Sequence, residues 1–434
     1  MAIIPQKMLF GWEEIEGLGD LRRLQLAIDN LPDENLMRTL ERQRANGRND
    51  YPVRGMWNSI LAGVVFEHKS VESLRRELMR NGQLRYICGL AAVPTARAYT
   101  TFFKNLYQHI DQLDAMFDEL VKQMQELLPG FGTRLAVDGK AIESHGNPRK
   151  EDAPSSVDGR RDLDANFGKK KIVKKGKDGT TYEEIKKWFG YKLHLIVDAD
   201  YELPVAFEIT PASHAEQPQA RKLVKKLAAT HPQLLEQCQF FSGDKGYDDT
   251  ALITTLWDKH GIKPVIAIRD MWKDGEETKL VSGTRNVVYN SKGEVFCCCM
   301  KTGELSPMAF GGFEKDRNTL KYRCPATYLS KSCAGRDRCP MKSCVRIKLS
   351  EDRRIFTPLA RSSYVWKHEY KKRTAVERVN SRLDVSFGFE NHYIRGQAKM
   401  KLRCGLALMV MLAMAAGRVK EKQMEKLRSL VKAA

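Results

Sequence analysis

Two aspartates occupy matching places in this chain. In "RLAVDGKAI" an apolar run leads into Asp138, Gly139 and Lys140, and in "FFSGDKGYDD" another leads into Asp244, Lys245, Gly246 and Tyr247. One such site says little, since an aspartate after a strand often only caps a helix or opens a turn. Two of them suggest chemistry. Carboxylates at the ends of separate strands give a divalent cation hard oxygen ligands without filling its coordination sphere, which is what activating water and gripping a phosphate require. A third carboxylate is then expected from a nearby helix, and Glu377 in "EYKKRTAVERVNSRLDVSFGFE" is the best placed. At about 100° per residue, Tyr370, Arg373, Glu377, Asn380, Ser381 and Asp384 share a polar stripe beside an apolar one of Val376, Val379 and Leu383. Lys371, Arg378 and Arg382 form a third, basic face. Taken alone, the same helix also reads as a surface helix with salt-bridging charges.

The elements that must position these acids follow from the texture of the 434 residues. Residues 20 to 128 place apolar residues at three- and four-residue spacing and predict helices, suited to DNA binding or to a protein-interaction bundle. From Gly130 strand-like runs appear at "TRLAVDG", "YKLHLIVDAD", "LPVAFEIT", "QCQFFSGD" and "IKPVIAIRD", with amphipathic helical patterns at "QPQARKLVKKLAAT" and "DDTALITTLWDKHG". Three strands before the first helix, then strand and helix in alternation, predict a mixed α/β sheet covered by helices. The Gly-, Lys- and Asp-rich stretch from Arg149 to Lys187 reads as a long charged loop. The 14-residue run Cys404 to Gly417 is shorter than the roughly 20 residues a bilayer requires and predicts a buried helix.

With 73 Lys and Arg against 54 Asp and Glu, the net charge is +19. The excess is spread along the chain and favours a polyanionic partner, nucleic acid first, over solvated basic faces alone. The N-terminus lacks the pattern of a signal peptide, so the chain is expected to stay inside the cell, in the cytoplasm and associated with the nucleoid, away from the membrane. The ten cysteines are then expected to be free or to bind metal rather than to form disulfides. Residues 271 to 365 hold seven of them. Cys324, Cys333, Cys339 and Cys344, among turn-forming and basic residues, suit zinc, although their spacing is not that of a paired C-x-x-C ribbon. Free buried thiols are the alternative.

The blocks "LAVDGKAI", "GYKLHLIVDAD", "FFSGDKGYDD" and "YKKRTAVERVNSRLD", in this order, resemble those of bacterial insertion-sequence transposases of the DDE type, whose catalytic core is ribonuclease H-like. The likeness extends over roughly residues 45 to 415. It implies an all-α N-terminal DNA-binding domain (1–128), the first part of the core (129–270), a cysteine-rich insertion (271–365), and the glutamate helix with a basic tail (366–434). It also implies two magnesium or manganese ions at Asp138, Asp244 and Glu377, element ends and target DNA as partners, and a homodimer assembled on DNA. Tyr370 and Arg373 match the tyrosine and arginine of one branch's signature, which has a lysine where this chain has Asp384. Arg378 or Arg382 is expected to replace that lysine at a phosphate, unless Asp384 orients Arg373. Lys140 and Lys245 are candidate phosphate contacts or merely solvated. His194 is a candidate neighbour of the site, though more readily a satisfied core histidine. The activity implied is cleavage at the element ends and joining of the 3′-ends to target DNA. A DNA-binding protein that has lost catalysis and a nuclease that cuts without joining are the alternatives.

Overall fold

The computed structural model describes residues 19–44, 50–148, 161–175, 180–269, 271–273, 275–341 and 343–429. The start of the chain, where a signal sequence was not expected, lies outside them, as do residues 149–160 of the charged stretch and the end of the basic tail. Helical periodicity produces α1 (Leu21–Asn30), α2 (Glu34–Arg44), α3 (Val53–Val65), α4 (Val71–Arg80), α5 (Gly82–Ile87), α6 (Ala96–Tyr107) and α7 (Ile110–Leu127). The hydroxyls of Ser70 and Thr95 accept from the amides of Ser73 and Ala98, so α4 and α6 begin where those residues stand.

The central sheet is built from β1 (Arg134–Glu143), β2 (Asn166–Lys175), β3 (Thr181–Asp198), β4 (Leu203–Pro211), β5 (Phe240–Gly243) and β6 (Lys263–Ile266). Helices α8 (Glu216–Thr230) and α9 (Pro232–Gln237) lie between β4 and β5, and α10 (Thr250–Thr254) precedes β6. The second half of β3 runs antiparallel between β4 and β1, and β5 and β6 then add parallel to β1. A β4-β3-β1-β5-β6 order with three antiparallel strands followed by two parallel ones is the ribonuclease H-like arrangement.

The stretch to Lys187 is not simply a loop. Its second half forms a two-stranded ribbon, β2 pairing with the first half of β3. Strand-forming Phe167 and Phe189 are partners in this register with ring centroids 5.2 Å apart, and Gly168 leaves the room that the Trp188 ring fills. Lysine content hid this pairing, because the charged side chains can stand off both faces of a ribbon.

After β6 come two small antiparallel sheets. One contains β7 (Thr278–Leu280), β8 (Val287–Asn290), β9 (Val295–Cys298) and β10 (Leu305–Pro307); the other contains β11 (Ala309–Glu314), β12 (Thr319–Arg323) and β13 (Cys344–Lys348), with α11 (Pro325–Tyr328) between the last two. They share an apolar cluster that includes Tyr289, Tyr322, Ile347 and Phe356, separate from the main core.

The chain returns to the sheet through α12 (Tyr364–Lys371), α13 (Thr374–Phe387) and α14 (Gln397–Lys420). Gly388, with φ +56°, adopts the left-handed turn that ends α13. Helix α14 has 24 residues, longer than its apolar run alone indicates, and by length and composition it is sufficient to cross a bilayer. Here it is buried, packed against α1, α3, α7 and β4 in one core that also takes in the sheet and α13.

Candidate active site

Parallel pairing brings the two aspartates together. Val137 is the register partner of Gly243, so the residues that follow, Asp138 on β1 and Asp244 just past the end of β5, stand beside each other. Asp138 is not at a strand end, since β1 continues to Glu143; it stands where β1 loses β5 as a neighbour but keeps β3. One oxygen of Asp138 accepts from the Gly139 amide at 2.8 Å. Asp244 accepts from the Gly246 amide at 2.7 Å and so caps the single helical turn Lys245–Tyr247.

Burial, with the like charge of Asp244 adding to it, pushes the Asp138 carboxyl up to about 6 against the opposing Gly139 amide and Arg373 guanidinium. Its folded-state value lies above its unfolded one. The fold therefore prefers the neutral acid, and that contribution is complete below the ordinary aspartate range and lost as pH rises through about 6. In metal-free protein Asp138→Asn should accordingly stabilise the chain by on the order of 3 kcal/mol at pH 8 and by almost nothing at pH 3.5. Denaturant titrations in chelator at the two pH values measure the difference, and equal effects at both would contradict the burial argument.

Glu377 lies in the first turn of α13 and is half exposed. Arg373 Nη2 holds its carboxylate at 2.7 Å, and the guanidinium also lies 5.7 Å from the centroid of the Tyr370 ring. Tyr370 in turn stacks on Trp366 with centroids 4.7 Å apart. Arg373 feels the charges of Glu377 and Asp138, and Tyr370 those of Asp244 and Glu377. Tyr370 near the end of α12 and Arg373 at the N-cap of α13 therefore lie in reach of the aspartates' charges, while the single helix on which the stripe was drawn is interrupted by a turn at Lys372 and Arg373.

Several expectations need correcting. Asp384 does not orient Arg373; it takes Lys140 Nζ at 2.6 Å, so the lysine beside this stripe comes from β1 rather than from the helix. Lys140 is thereby paired, not merely solvated. Arg378 and Arg382 do not stand in for the missing lysine either. Both reach the buried carboxylate of Glu202, at 2.7 and 3.1 Å, because the basic face of α13 turns toward the β3–β4 connection. Lys245 is exposed next to Asp244. His194 is a core residue, with Nε2 bonded to Thr210 Oγ1 at 2.9 Å and its imidazole held neutral by burial, which lowers it to about 3.

The four cysteines proposed for zinc do not come together as a set. Cys324, Cys333 and Cys339 line a cavity of about 250 Å³ with Cys297, Cys298 and Cys299, whereas Cys344 lies outside it on β13 near Arg346. Strand alternation in β13 decided this, and linear spacing could not reveal it. Among the described residues no three Asp, Glu, His or Cys side chains form a ready-made metal cage, here or at the aspartates.

Sequence reasoning missed Glu216, Tyr247 and Lys170. Lys170, on the ribbon, shares a groove of about 500 Å³ with Lys140, Lys186 and Asn380 directly beside Asp138. Glu216 carried one legible signal, an acid opening the first helix after the antiparallel strands.

A mixed sheet with one aspartate on its central strand, another just past the end of the parallel neighbour, and a glutamate-bearing helix packed against it defines the class: a ribonuclease H-like core. Residues 129–413 match the family model for the transposase DDE domain, and the chain belongs to that family. Its members generally use divalent metal ions. No curated protein matches the chain. Among solved structures it is similar to the piggyBac transposase in a synaptic complex with hairpin DNA, at 11% identity and a TM-score of 0.38, over 95% of this chain and 80% of that one.

Proposed function

We propose that the protein is a DNA transposase that binds the ends of its element, cleaves DNA by metal-dependent phosphodiester hydrolysis and joins the 3′-ends to target DNA. The observation that supports this best is the register of β1 and β5, which sets a partly buried Asp138 beside Asp244 and leaves their like charges to be offset by Arg373. Hard carboxylate oxygens in that arrangement fit magnesium or manganese, and Glu377 completes the set once Arg373 releases it. A pair of such ions supplies the charge that activates water and stabilises the leaving oxygen of an in-line displacement.

The chain's own groups do the rest. Arg373, whose Nε is buried without a partner, turns from Glu377 to the scissile phosphate and holds it through two parallel hydrogen bonds. Tyr370 donates a further one from its hydroxyl. In the groove beside Asp138, which Glu143 and Glu390 also line, Lys170 and Lys186 guide the strand by its backbone charge without reading its sequence, with Lys140 paired to Asp384. With water replaced by a freed 3′-hydroxyl, the same site joins ends to a target, in a homodimer that pairs two ends. Incubating the full chain with end-bearing and target DNA in magnesium, then mapping products, tests this. Joined 3′-ends are expected. Cuts without joining identify a nuclease, and bound but intact DNA identifies a protein that has lost catalysis.

For the insertion, we propose that zinc is held in the thiol cavity by a set drawn from Cys297, Cys299, Cys324, Cys333 and Cys339 rather than by the spacing-derived quartet. Cys299 supports this: hydrogen bonds from the Thr302 side chain and from the amides of Thr302, Lys301 and Gly335 lower its thiol to about 6, which favours the thiolate a metal needs. About one zinc per chain is expected by metal analysis, falling sharply in Cys333→Ser. A metal-free protein with freely titrating thiols would end this reading.

A further inference from the structure

The acid at the start of α8 reaches further than a helix-terminal charge has to. Its N-cap, Ala215, makes no side-chain cap bond, so a glutamate in the first turn is stabilising there for the helix dipole alone. Yet its carboxylate leans over the sheet to the residues that flank both aspartates. A Cβ on Gly246 would fall 2.3 Å from Glu216 Oε2 and 2.7 Å from Asp244 Oδ1, so the two carboxylates converge on one place. A Cβ on Gly139 would fall 3.2 Å from Glu216 Oε1 and 3.5 Å from the Tyr247 hydroxyl. Glycine follows Asp138 directly and Asp244 at the second position, in each case where this carboxylate needs the space.

Tyr247 makes the independent case. Its side chain is fully buried, and its hydroxyl has no hydrogen-bond partner although it lies in the field of Glu216, Asp138 and Asp244. A buried hydroxyl left unpaired is destabilising, and native proteins seldom leave one so. Three carboxylates near an unused donor describe a place where a further oxygen ligand belongs. Lys192 offers partial compensation: its ammonium lies 3.4 Å from Glu216 Oε1, at the limit of a bond, and also donates to the His214 carbonyl at 3.1 Å.

We propose that Glu216 is a ligand of the divalent cation held at Asp138 and Asp244, a fourth acid beyond the three on β1, β5 and α13, and that the Tyr247 hydroxyl donates to an oxygen bound there. This rests on the metal-site reading above. Glu216 keeps a carboxylate at the aspartates while Glu377 is held by Arg373, so the free protein retains a site for the cation before DNA arrives.

Manganese binding to the full chain without DNA, followed by calorimetric titration, tests it. Glu216→Gln should weaken manganese at least tenfold with little change in metal-free unfolding. Tyr247→Phe removes a hydroxyl that bonds to nothing, so it should leave metal-free stability unchanged or higher while weakening manganese severalfold. Lys192→Gln should leave affinity unchanged or tighten it. If Glu216 serves only Lys192 and its helix, Glu216→Gln and Lys192→Gln will lose stability alike and both will bind manganese normally, which overturns the proposal. Wild-type affinity in Glu216→Gln and Tyr247→Phe together with loss in Asp138→Asn overturns it while sparing the metal-site reading. Normal binding in Asp138→Asn and Asp244→Asn, or none in the parent chain, removes both.

Discussion

Asp138→Ala and Asp244→Ala are each expected to lower DNA strand cleavage by on the order of 10³-fold or more, since loss of a direct ligand should exceed the 10–100-fold typical of outer-shell partners. DNA affinity should hold or rise slightly. On the proposed function each carboxylate serves a cation rather than a phosphate, and each removal subtracts a negative charge from the proposed DNA-facing edge. The two variants should also differ from ordinary core damage in their stability. Alanine at 138 removes a carboxylate that burial holds against ionisation, so in chelator at neutral pH this variant should melt no lower than the parent. Its melting point should then fail to rise with magnesium or manganese, whereas the parent gains stability in proportion to the logarithm of cation concentration. A variant that cuts at the parental rate leaves the site, whatever its position on the sheet. A variant that neither cuts nor binds DNA has lost its fold, and circular dichroism separates that case.

The aspartates were legible because local pattern and partner agreed. An apolar run leading into an aspartate with a glycine and a lysine close behind reads as a strand running out, and the two occurrences, Asp-Gly-Lys at 138 and Asp-Lys-Gly at 244, predict two such places, though not that β1 would continue past Asp138 or that Val137 would pair with Gly243. Helical phase placed Glu377 off the apolar face of its helix, and the structure has it half exposed and paired with Arg373. The phase also sorted Arg378 and Arg382 onto a separate face, but which element that face meets is a tertiary fact, and Glu202, at positive φ on the β3–β4 turn, carries no sequence mark of it. The partner of Asp384 was hidden for the same reason: Lys140 is 244 residues away and reaches it only because β1 and α13 pack together. Glu216 was overlooked because a first-turn glutamate is already explained by its own helix. The proposed second use rests on three-dimensional neighbours, the glycines opposite it and the unpartnered Tyr247 hydroxyl, which linear sequence does not bring together. The cysteines show the reverse limit, where a cluster in sequence proved to be a cluster in space with different members.

Arg373→Ala and Glu377→Ala separate two roles that share one ion pair. The pair spans one helical turn, and half of it is exposed, so on stability alone it is worth only about 0.3–0.5 kcal/mol and either substitution should barely move the melting point. Cleavage should respond far more. Glu377→Ala is expected to cost on the order of 10³-fold, as for the aspartates, because a cation ligand is gone. Arg373→Ala should cost on the order of 10²-fold, because a preorganised donor to the reacting phosphate counts mostly in the transition state. Cation affinity should move in opposite directions: weaker in Glu377→Ala, and unchanged or tighter in Arg373→Ala, where a positive charge near Asp138 and Glu377 no longer competes. Lysine at 373 should restore little, since a point charge cannot reproduce the planar fork. Manganese titrations and single-turnover cleavage on intact and pre-nicked ends measure both quantities. Should Arg373→Ala cut normally and bind cations like the parent, the guanidinium merely salt-bridges a helix surface. The release of Glu377 from Arg373 would then have no part in assembling the site.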